Sequence, residues 1–268
     1  MPDEAHPVEG SVAVVTGATR GIGRATAEAL GRAGATVVVV GRTTEAEPNA
    51  HLPGTCEGVE RELSALGIEA RSVRADLSDP DQVDAIVERT LGWFGRCDIL
   101  VNNAAYTSNG PVLEIPARRW QRAFQVQVVS PLQLCQGFVP GMLERGFGRV
   151  VNVSSGASQS SSPSLALYAV SKLAMERWGE YMEIELGGRG VSFNTLRVDT
   201  IVTTEGWHYV ADTQGLAMAT GGAELPDDLL TPEECARFIT WLVAQPATWS
   251  GHTVGFDDIR GLGGPSAG

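Results

Sequence analysis

A phenol and an amine stand four residues apart in the run Tyr168-Ala-Val-Ser-Lys172. On a helix this spacing brings both side chains to one face, a single turn apart. A phenol with its ordinary pKa near 10 exchanges protons poorly at neutral pH unless its anion is stabilised. A nearby ammonium group supplies that stabilisation, and it can also donate hydrogen bonds to a bound sugar. Tyr-x-x-x-Lys is common by chance, so the competing reading is an exposed pair on a helix surface. A second run far upstream, Thr16-Gly17-Ala18-Thr19-Arg20-Gly21-Ile22-Gly23, changes that balance. Gly17 allows a sharp turn. Gly21 and Gly23 let the backbone and the following helix approach a pyrophosphate, which free amides and the helix dipole favour. One motif can hold a dinucleotide, and the other can move a proton beside it.

These residues need a frame. Residues 11–16 form a short apolar run bounded by Gly10 and Gly17, which predicts a buried strand. A helical pattern at 22–30 and a β-branched run at 36–40 follow. Strand-like runs recur at 71–75, 98–101, 149–153, 191–196 and 252–256, with helical patterns at 58–66, 81–94, 117–135, 165–186 and 232–244. Thr231-Pro232-Glu233-Glu234 and Ser78-Asp79-Pro80-Asp81 are good helix starts. The alternation predicts an α/β fold: a single doubly wound Rossmann-type domain over 8–264, mainly parallel, with helices on both faces and tails at 1–7 and 265–268. Two segments break the rhythm. Residues 43–54 are polar, contain Pro48 and Pro53, and read as a loop insertion. Residues 198–230 lack a convincing sheet element and carry Trp207, His208, Tyr209 and Gly221-Gly222. They read either as a substrate loop beyond a strand's carboxyl end or as a disordered stretch.

Bulk properties exclude some functions. A net charge of −12 without any Lys/Arg cluster argues against a nucleic-acid partner. Cys56, Cys97, Cys135 and Cys235 are scattered, which favours unreactive thiols over disulfides or a zinc site. His6, His51, His208 and His252 show no ligand spacing, so no metal is expected, although His208 could face substrate. There is no signal-peptide pattern and no apolar run long enough for a bilayer. A soluble, cytoplasmic protein without membrane partners is the expectation.

The spacing Gly-x-x-x-Gly-x-Gly after a threonine resembles the short-chain dehydrogenase/reductase family, and the resemblance covers residues 8–264. Asp76-Leu77, Asn102-Asn103-Ala104-Ala105, Ser155, Tyr168-x-x-x-Lys172 and a glycine-rich tail follow in that family's order. The resemblance implies an oxidoreductase that moves hydride between a nicotinamide dinucleotide and a small-molecule carbonyl or secondary alcohol. It implies Tyr168 as general acid/base, Lys172 as its partner, and Ser155, thirteen residues before the tyrosine, as the holder of the substrate oxygen. It also implies cofactor contacts from Gly17, Thr19, Arg20, Gly21, Ile22 and Gly23. Asp76 and Leu77 would lie at the adenine, Asn102, Asn103 and Ala104 at the adenosine ribose, and Ile201 and Thr203 at the carboxamide. On the residues alone, Asp76 could instead cap a loop, and Asn102-Asn103 could satisfy strand-end backbone groups. Helical faces at 117–135 and 165–186 form homodimers or homotetramers in the family.

Three departures stand out. Gln127 replaces an asparagine that helps hold a water chain to the lysine in relatives, Ala105 replaces a glycine, and Val198-Asp199 replaces Pro-Gly. Asp199 brings a carboxylate near the site, as a turn-stabilising group or a substrate contact, and stays outside the catalytic set of Ser155, Tyr168, Lys172 and Gln127. For cofactor choice, an NAD site needs a carboxylate at the end of the second strand, whereas this chain has Gly41-Arg42. Arg42 and Arg20, each a candidate solvated side chain taken singly, together favour NADP(H) over NAD(H). Trp207, Tyr209, Leu216 and Met218 suggest an apolar pocket wall, or else core or subunit contacts. A catalytically impaired dinucleotide-binding protein, or an epimerase or dehydratase on the same fold, are the alternatives.

Overall fold

The computed structural model describes residues 8–215 and 229–266. Its strands are β1 Val12–Thr16, β2 Thr36–Gly41, β3 Ala70–Arg74, β4 Ile99–Asn102, β5 Gly148–Ser155, β6 Val191–Val198 and β7 Thr253–Val254. They form one sheet in the order β3-β2-β1-β4-β5-β6-β7, and every neighbouring pair is parallel. Helices cover both faces, which is why all five residues of β1 are buried. Ala27 and Leu30 from the helix Gly21–Arg32 and Phe238 and Leu242 from Pro232–Ala244 pack on one face. Ile86 from Pro80–Phe94 and Leu134 and Phe138 from Ser130–Arg145 pack on the other. The strand order reverses between β1 and β4, so a crevice opens at their carboxyl ends, where the glycine run and Asn102-Asn103 stand. This single doubly wound α/β domain matches the sequence expectation.

Local signals account for most boundaries. Thr231 accepts from the Glu234 amide while Glu234 reaches back to the Thr231 amide, closing a capping box. Asp79 caps the helix that Pro80 begins.

Three expectations need correction. The pattern at 117–135 is not one helix but Ala117–Phe124, a π-helical turn Gln125–Val129, and then Ser130–Arg145. Pro131 has no N–H and its ring crowds the carbonyl four residues back, so the widened turn takes up the mismatch. The last strand shrinks from 252–256 to Thr253–Val254, and Phe256–Gly261 is helical. Phe256 and Ile259, three apart, both enter the core, which is helical spacing. Within 198–230, Val198 ends β6, Thr204 caps a helix Glu205–Gln214, and Val202 pairs with Leu230. Leu216, Met218 and Gly221-Gly222 lie outside the described residues. Residues 43–54 carry no helix or strand, as expected of an insertion. Among the described residues, no helix is long and apolar enough to cross a membrane.

Candidate active site

The glycine run is held by backbone contacts that leave no room for side chains. Gly17 has φ of +67°, and a Cβ there would lie 2.9 Å from Ala104 Cα. A Cβ on Gly23 would lie 2.3 Å from the Gly17 carbonyl oxygen and 2.5 Å from Asn103 Nδ2. Only glycine closes this cradle. Asn103 donates from its amide to Thr16 Oγ1 (3.0 Å) and from Nδ2 to the Thr16 carbonyl (2.8 Å), while Asn102 Nδ2 donates to Asn152 Oδ1 (2.9 Å). The asparagine pair thus laces the ends of β1, β4 and β5 together. At the start of Gly21–Arg32 the Gly21 amide donates to Glu205 Oε2 (3.0 Å). A carboxylate therefore already sits on the helix terminus expected to favour an anion. The glycine cradle has the shape for a dinucleotide pyrophosphate, which would take the Gly21 amide in place of the Glu205 carboxylate.

A cleft of about 270 Å³ opens beside the cradle. Arg20 and Arg42 both line it, as do Thr19 and Thr43. Arg20 donates to Thr43 Oγ1 (2.9 Å), and burial pulls its pKa down, with Glu205 opposing and Arg42 adding to the fall. Asp76, Leu77, Asn103 and Ala104 line the cleft as well. Asp76 Oδ1 accepts from the Ser78 amide (2.9 Å) and hydroxyl (2.8 Å), and Oδ2 faces Arg122 (3.2 Å) and Arg42 (3.6 Å). Burial alone would raise the Asp76 pKa, but these hydrogen bonds and guanidinium groups outweigh it and hold the carboxyl below its ordinary range. Asn49 and Leu52, from the inserted loop, close the outer wall. Ile22, partly buried, packs against the core beside it.

Ser155, Tyr168 and Lys172, the residues expected to move a proton, form a second cluster at the end of β5. Ser155 accepts from the Ala157 amide (3.2 Å) and hydrogen-bonds the Tyr168 hydroxyl. Tyr168 and Lys172 occupy the first two turns of Ala166–Leu186. Lys172 is only 1% exposed. It is also the single lysine of the chain, against nineteen arginines. Its Nζ donates to the Val153 carbonyl (2.6 Å) and lies 5.7 Å from the centre of the Tyr168 ring. Burial lowers its pKa to about 8 against an opposing pull from Glu176. The Tyr168 phenol is pushed up by burial, and only its bond to Ser155 pulls it down. The Tyr168 hydroxyl meets Ser155, the serine expected beside it, while the Lys172 amine faces the ring and the Val153 carbonyl.

The departures from the family pattern have local explanations. Gln127 is fully buried in the π turn; its Oε1 accepts from the Tyr106 amide (2.8 Å), and its Nε2 donates to Ser171 Oγ. Ser171 in turn donates to the Tyr168 carbonyl (2.9 Å). One glutamine so connects a wall residue of the cleft to the helix bearing Tyr168. Asp199 accepts from the Phe256 amide (3.3 Å), 57 positions further on, so it meets the start of the helix Phe256–Gly261 rather than its own turn. Thr203 donates its hydroxyl to the Leu230 carbonyl (3.2 Å), and the Ile201 carbonyl accepts from the Leu230 amide (3.0 Å). Both thus belong to the short pairing that anchors this segment. The next residue, Thr204, packs its methyl group against Gly21.

Sequence reading missed Arg122, Tyr106, Glu205 and the group around Glu176. Only Glu176, four residues after Lys172 on the same helix face, carried a usable signal. Among the described residues, no group of three or more His, Cys, Asp or Glu side chains could hold a metal ion.

Comparison with known proteins agrees with this geometry. A family profile described as short chain dehydrogenase matches residues 11–214. A 3-oxoacyl-[acyl-carrier-protein] reductase from Synechocystis sp. is 32% identical over 238 residues, covering 88% of this chain and 90% of that protein. Among solved structures, L-sorbose reductase from Gluconobacter frateurii, complexed with NADPH and L-sorbose, is similar with a TM-score of 0.81 and 28% identity over 92% of this chain and 95% of that one. A metagenomic short-chain oxidoreductase in complex with NADP gives a TM-score of 0.74 and 28% identity, over 93% and 98% of the two chains.

Proposed function

The chain belongs to the short-chain dehydrogenase family of oxidoreductases, and from that premise we propose that it reduces a small-molecule ketone, or oxidises the corresponding secondary alcohol, with NADP(H) as cofactor. The observation that carries this reading is the corner of half-buried Ser155 and Tyr168 with fully buried Lys172, two strands over from a glycine cradle. Gly17, Gly21 and Gly23 would hold the pyrophosphate, with Thr19 and the Ile22 backbone beside it. Asp76, Leu77, Asn103 and Ala104 would surround the adenosine, while Asn102 braces the strand ends behind them. Arg20 and Arg42 would pair with a 2′-phosphate, for which guanidinium forks are well shaped. NADPH, when bound, supplies the hydride.

This chain's own residues handle the proton and the position. Ser155 would hold the carbonyl oxygen beside the Tyr168 hydroxyl, which delivers its proton to that oxygen as charge builds there. Lys172 would hold the nicotinamide ribose and place positive charge next to the phenolate left behind. Ile201 and Thr203 would receive the carboxamide. Relatives bound to NADPH or NADP, and a relative that reduces a sugar ketone, support this choice of cofactor and substrate class. Apolar Val170, Leu173, Tyr181 and Ile184 on the outer face of Ala166–Leu186 support a homodimer or homotetramer, and we read the protein as cytoplasmic.

The test is NADPH oxidation followed by its absorbance, with a panel of cyclic, sugar-like and acyl ketones; Tyr168→Phe should lower kcat by about 10²–10⁴-fold. A Phe variant that retains the wild-type rate would end this reading.

A further inference from the structure

Beneath the Ser155 turn lies a buried carboxylate that the chemistry above does not use. Glu176 is 3% exposed, on the face of Ala166–Leu186 that carries Lys172 one turn earlier. Its Oε1 accepts from Ser154 Oγ (2.6 Å), Ser158 Oγ (2.7 Å) and Arg197 Nε (3.2 Å). Its Oε2 accepts from a terminal nitrogen of Arg197 (2.8 Å) and from Gln159 Nε2 (3.5 Å). Ser154 precedes Ser155, and Ser158 ends the short turn that follows it. Arg197 comes from β6, immediately before Val198-Asp199.

We propose that Glu176 is a positioning residue for the reaction: one buried carboxylate ties the residues on either side of Ser155 to the helix of Tyr168 and Lys172, and anchors both to β6 through Arg197. A buried carboxylate is costly unless its lone pairs are satisfied, and here both oxygens are saturated with donors. Such saturation restrains geometry: the segments on either side of Ser155 cannot move away from the helix of Tyr168 without breaking a bond to Glu176. Small misplacements of reacting groups are expensive in rate.

The same carboxylate bears on the lysine. The titratable and charged groups around Lys172 are Tyr168 and Glu176 on its own helix and Arg197 on β6, with Asp199 and Asp258 facing that guanidinium. Of these, Glu176 is the one that favours the charged amine against burial. Glu176 itself stays ionised: burial would raise its pKa, but the bonds from Arg197, Ser154 and Ser158 overcome that.

The positioning half of this inference rests on the hydride-transfer reading; the electrostatic half does not. Because Lys172 is the only lysine, protein labelled with ¹³C-lysine gives one Cε signal to follow against pH. Glu176→Gln keeps the shape and loses the charge, so the Lys172 midpoint should fall by about one pH unit from its wild-type position. Glu176→Asp keeps the charge and shortens the reach. Its midpoint should stay near wild type, while kcat with the ketone substrate falls roughly tenfold and KM for NADPH is unchanged. An unmoved midpoint in Glu176→Gln, or wild-type kcat in Glu176→Asp, would overturn the proposal. Should Glu176→Gln prove too unstable to label, Glu176→Asp still decides it through kcat. A wild-type protein that turns over no ketone would end the hydride-transfer reading, and the lysine signal would still judge the electrostatic claim.

Discussion

The cleft beside the glycine cradle and the corner at the end of β5 are built on opposite plans. The cleft is lined from loops and strand ends, and its cations reach into water: the Arg42 side chain is 58% exposed and the Arg122 side chain 39%. The corner is more enclosed, with Ser155 and Tyr168 half-buried over fully buried polar groups. Lys172, Glu176 and Gln127 are 1%, 3% and 0% exposed, and each polar side chain has a protein partner. Exposed cations recognise a phosphate by charge, are screened by salt, and can be exchanged at modest cost. Buried groups are held in place by their neighbours, so a small change there disturbs several bonds together. The difference teaches where selectivity and where rate should reside: substitutions in the cleft should move cofactor affinity, and substitutions in the corner should move turnover.

The largest effect expected in the corner, apart from loss of the phenol, is at Lys172. Lys172→Arg keeps a charge but brings a broad, permanently protonated fork into a space shaped for one amine. Turnover should drop by about 10²-fold or more, with cofactor affinity falling far less. A variant with near-normal kcat would break the contrast between the regions. The pH dependence has a definite sign. Since burial depresses the Lys172 pKa from 10.5 to about 8, wild-type turnover that needs the charged amine should decline as pH rises through about 8. Stability moves oppositely. Between that value and 10.5 the unfolded chain binds the extra proton, so this residue's contribution to stability improves as pH rises. Lys172→Met should abolish that rise in Tm with pH, measured by thermal unfolding across the window; a rise that persists would assign it to other groups.

A middle-sized effect belongs to the cleft. Arg42→Ala should raise KM for NADPH by roughly tenfold and leave KM for NADH nearly unchanged, since only the former carries the extra phosphate. Raising ionic strength should weaken NADPH binding to the wild type more steeply than to the variant. Parallel losses for both cofactors would mean that Arg42 acts through its pairing with Asp76 rather than on phosphate.

How much of this was legible beforehand follows the same division. The cradle, β1 and β2 were plain in the sequence because turn glycines and β-branched runs act locally. The Tyr168–Lys172 face was legible from helical spacing, and Ser155 from the family resemblance. What escaped depended on contacts between distant segments. Glu205 reaches the Gly21 amide from the far side of β6, and Arg122 reaches Asp76 from a helix 46 positions further on. The π turn at Gln125–Val129 was hidden because Pro131 acts on a hydrogen-bond ladder that periodicity alone does not resolve. Spacing also placed the amine near the tyrosine without saying which part of the ring it would meet. That needed the Val153 carbonyl, a group without a side-chain signature.

The smallest effect expected is the most discriminating, because Gln127 spans the two regions. Its amide reaches the Tyr106 backbone on the cleft side and Ser171 on the side of the Tyr168 helix. Asparagine, the residue the family resemblance implies here, is one methylene shorter and cannot keep both bonds in this π turn without backbone movement. The site is fully buried, so the abandoned donor or acceptor finds no water, at a cost of about 1–3 kcal/mol. Gln127→Asn should therefore lower Tm measurably while changing kcat only a few-fold, because neither broken bond touches a reacting atom. KM for NADPH should move in step with Tm if the Tyr106 bond is the one lost, and stay fixed if the Ser171 bond is lost. An unchanged Tm would show that the turn relaxes around the shorter amide. Cleft and corner would then be coupled through backbone packing rather than through this side chain.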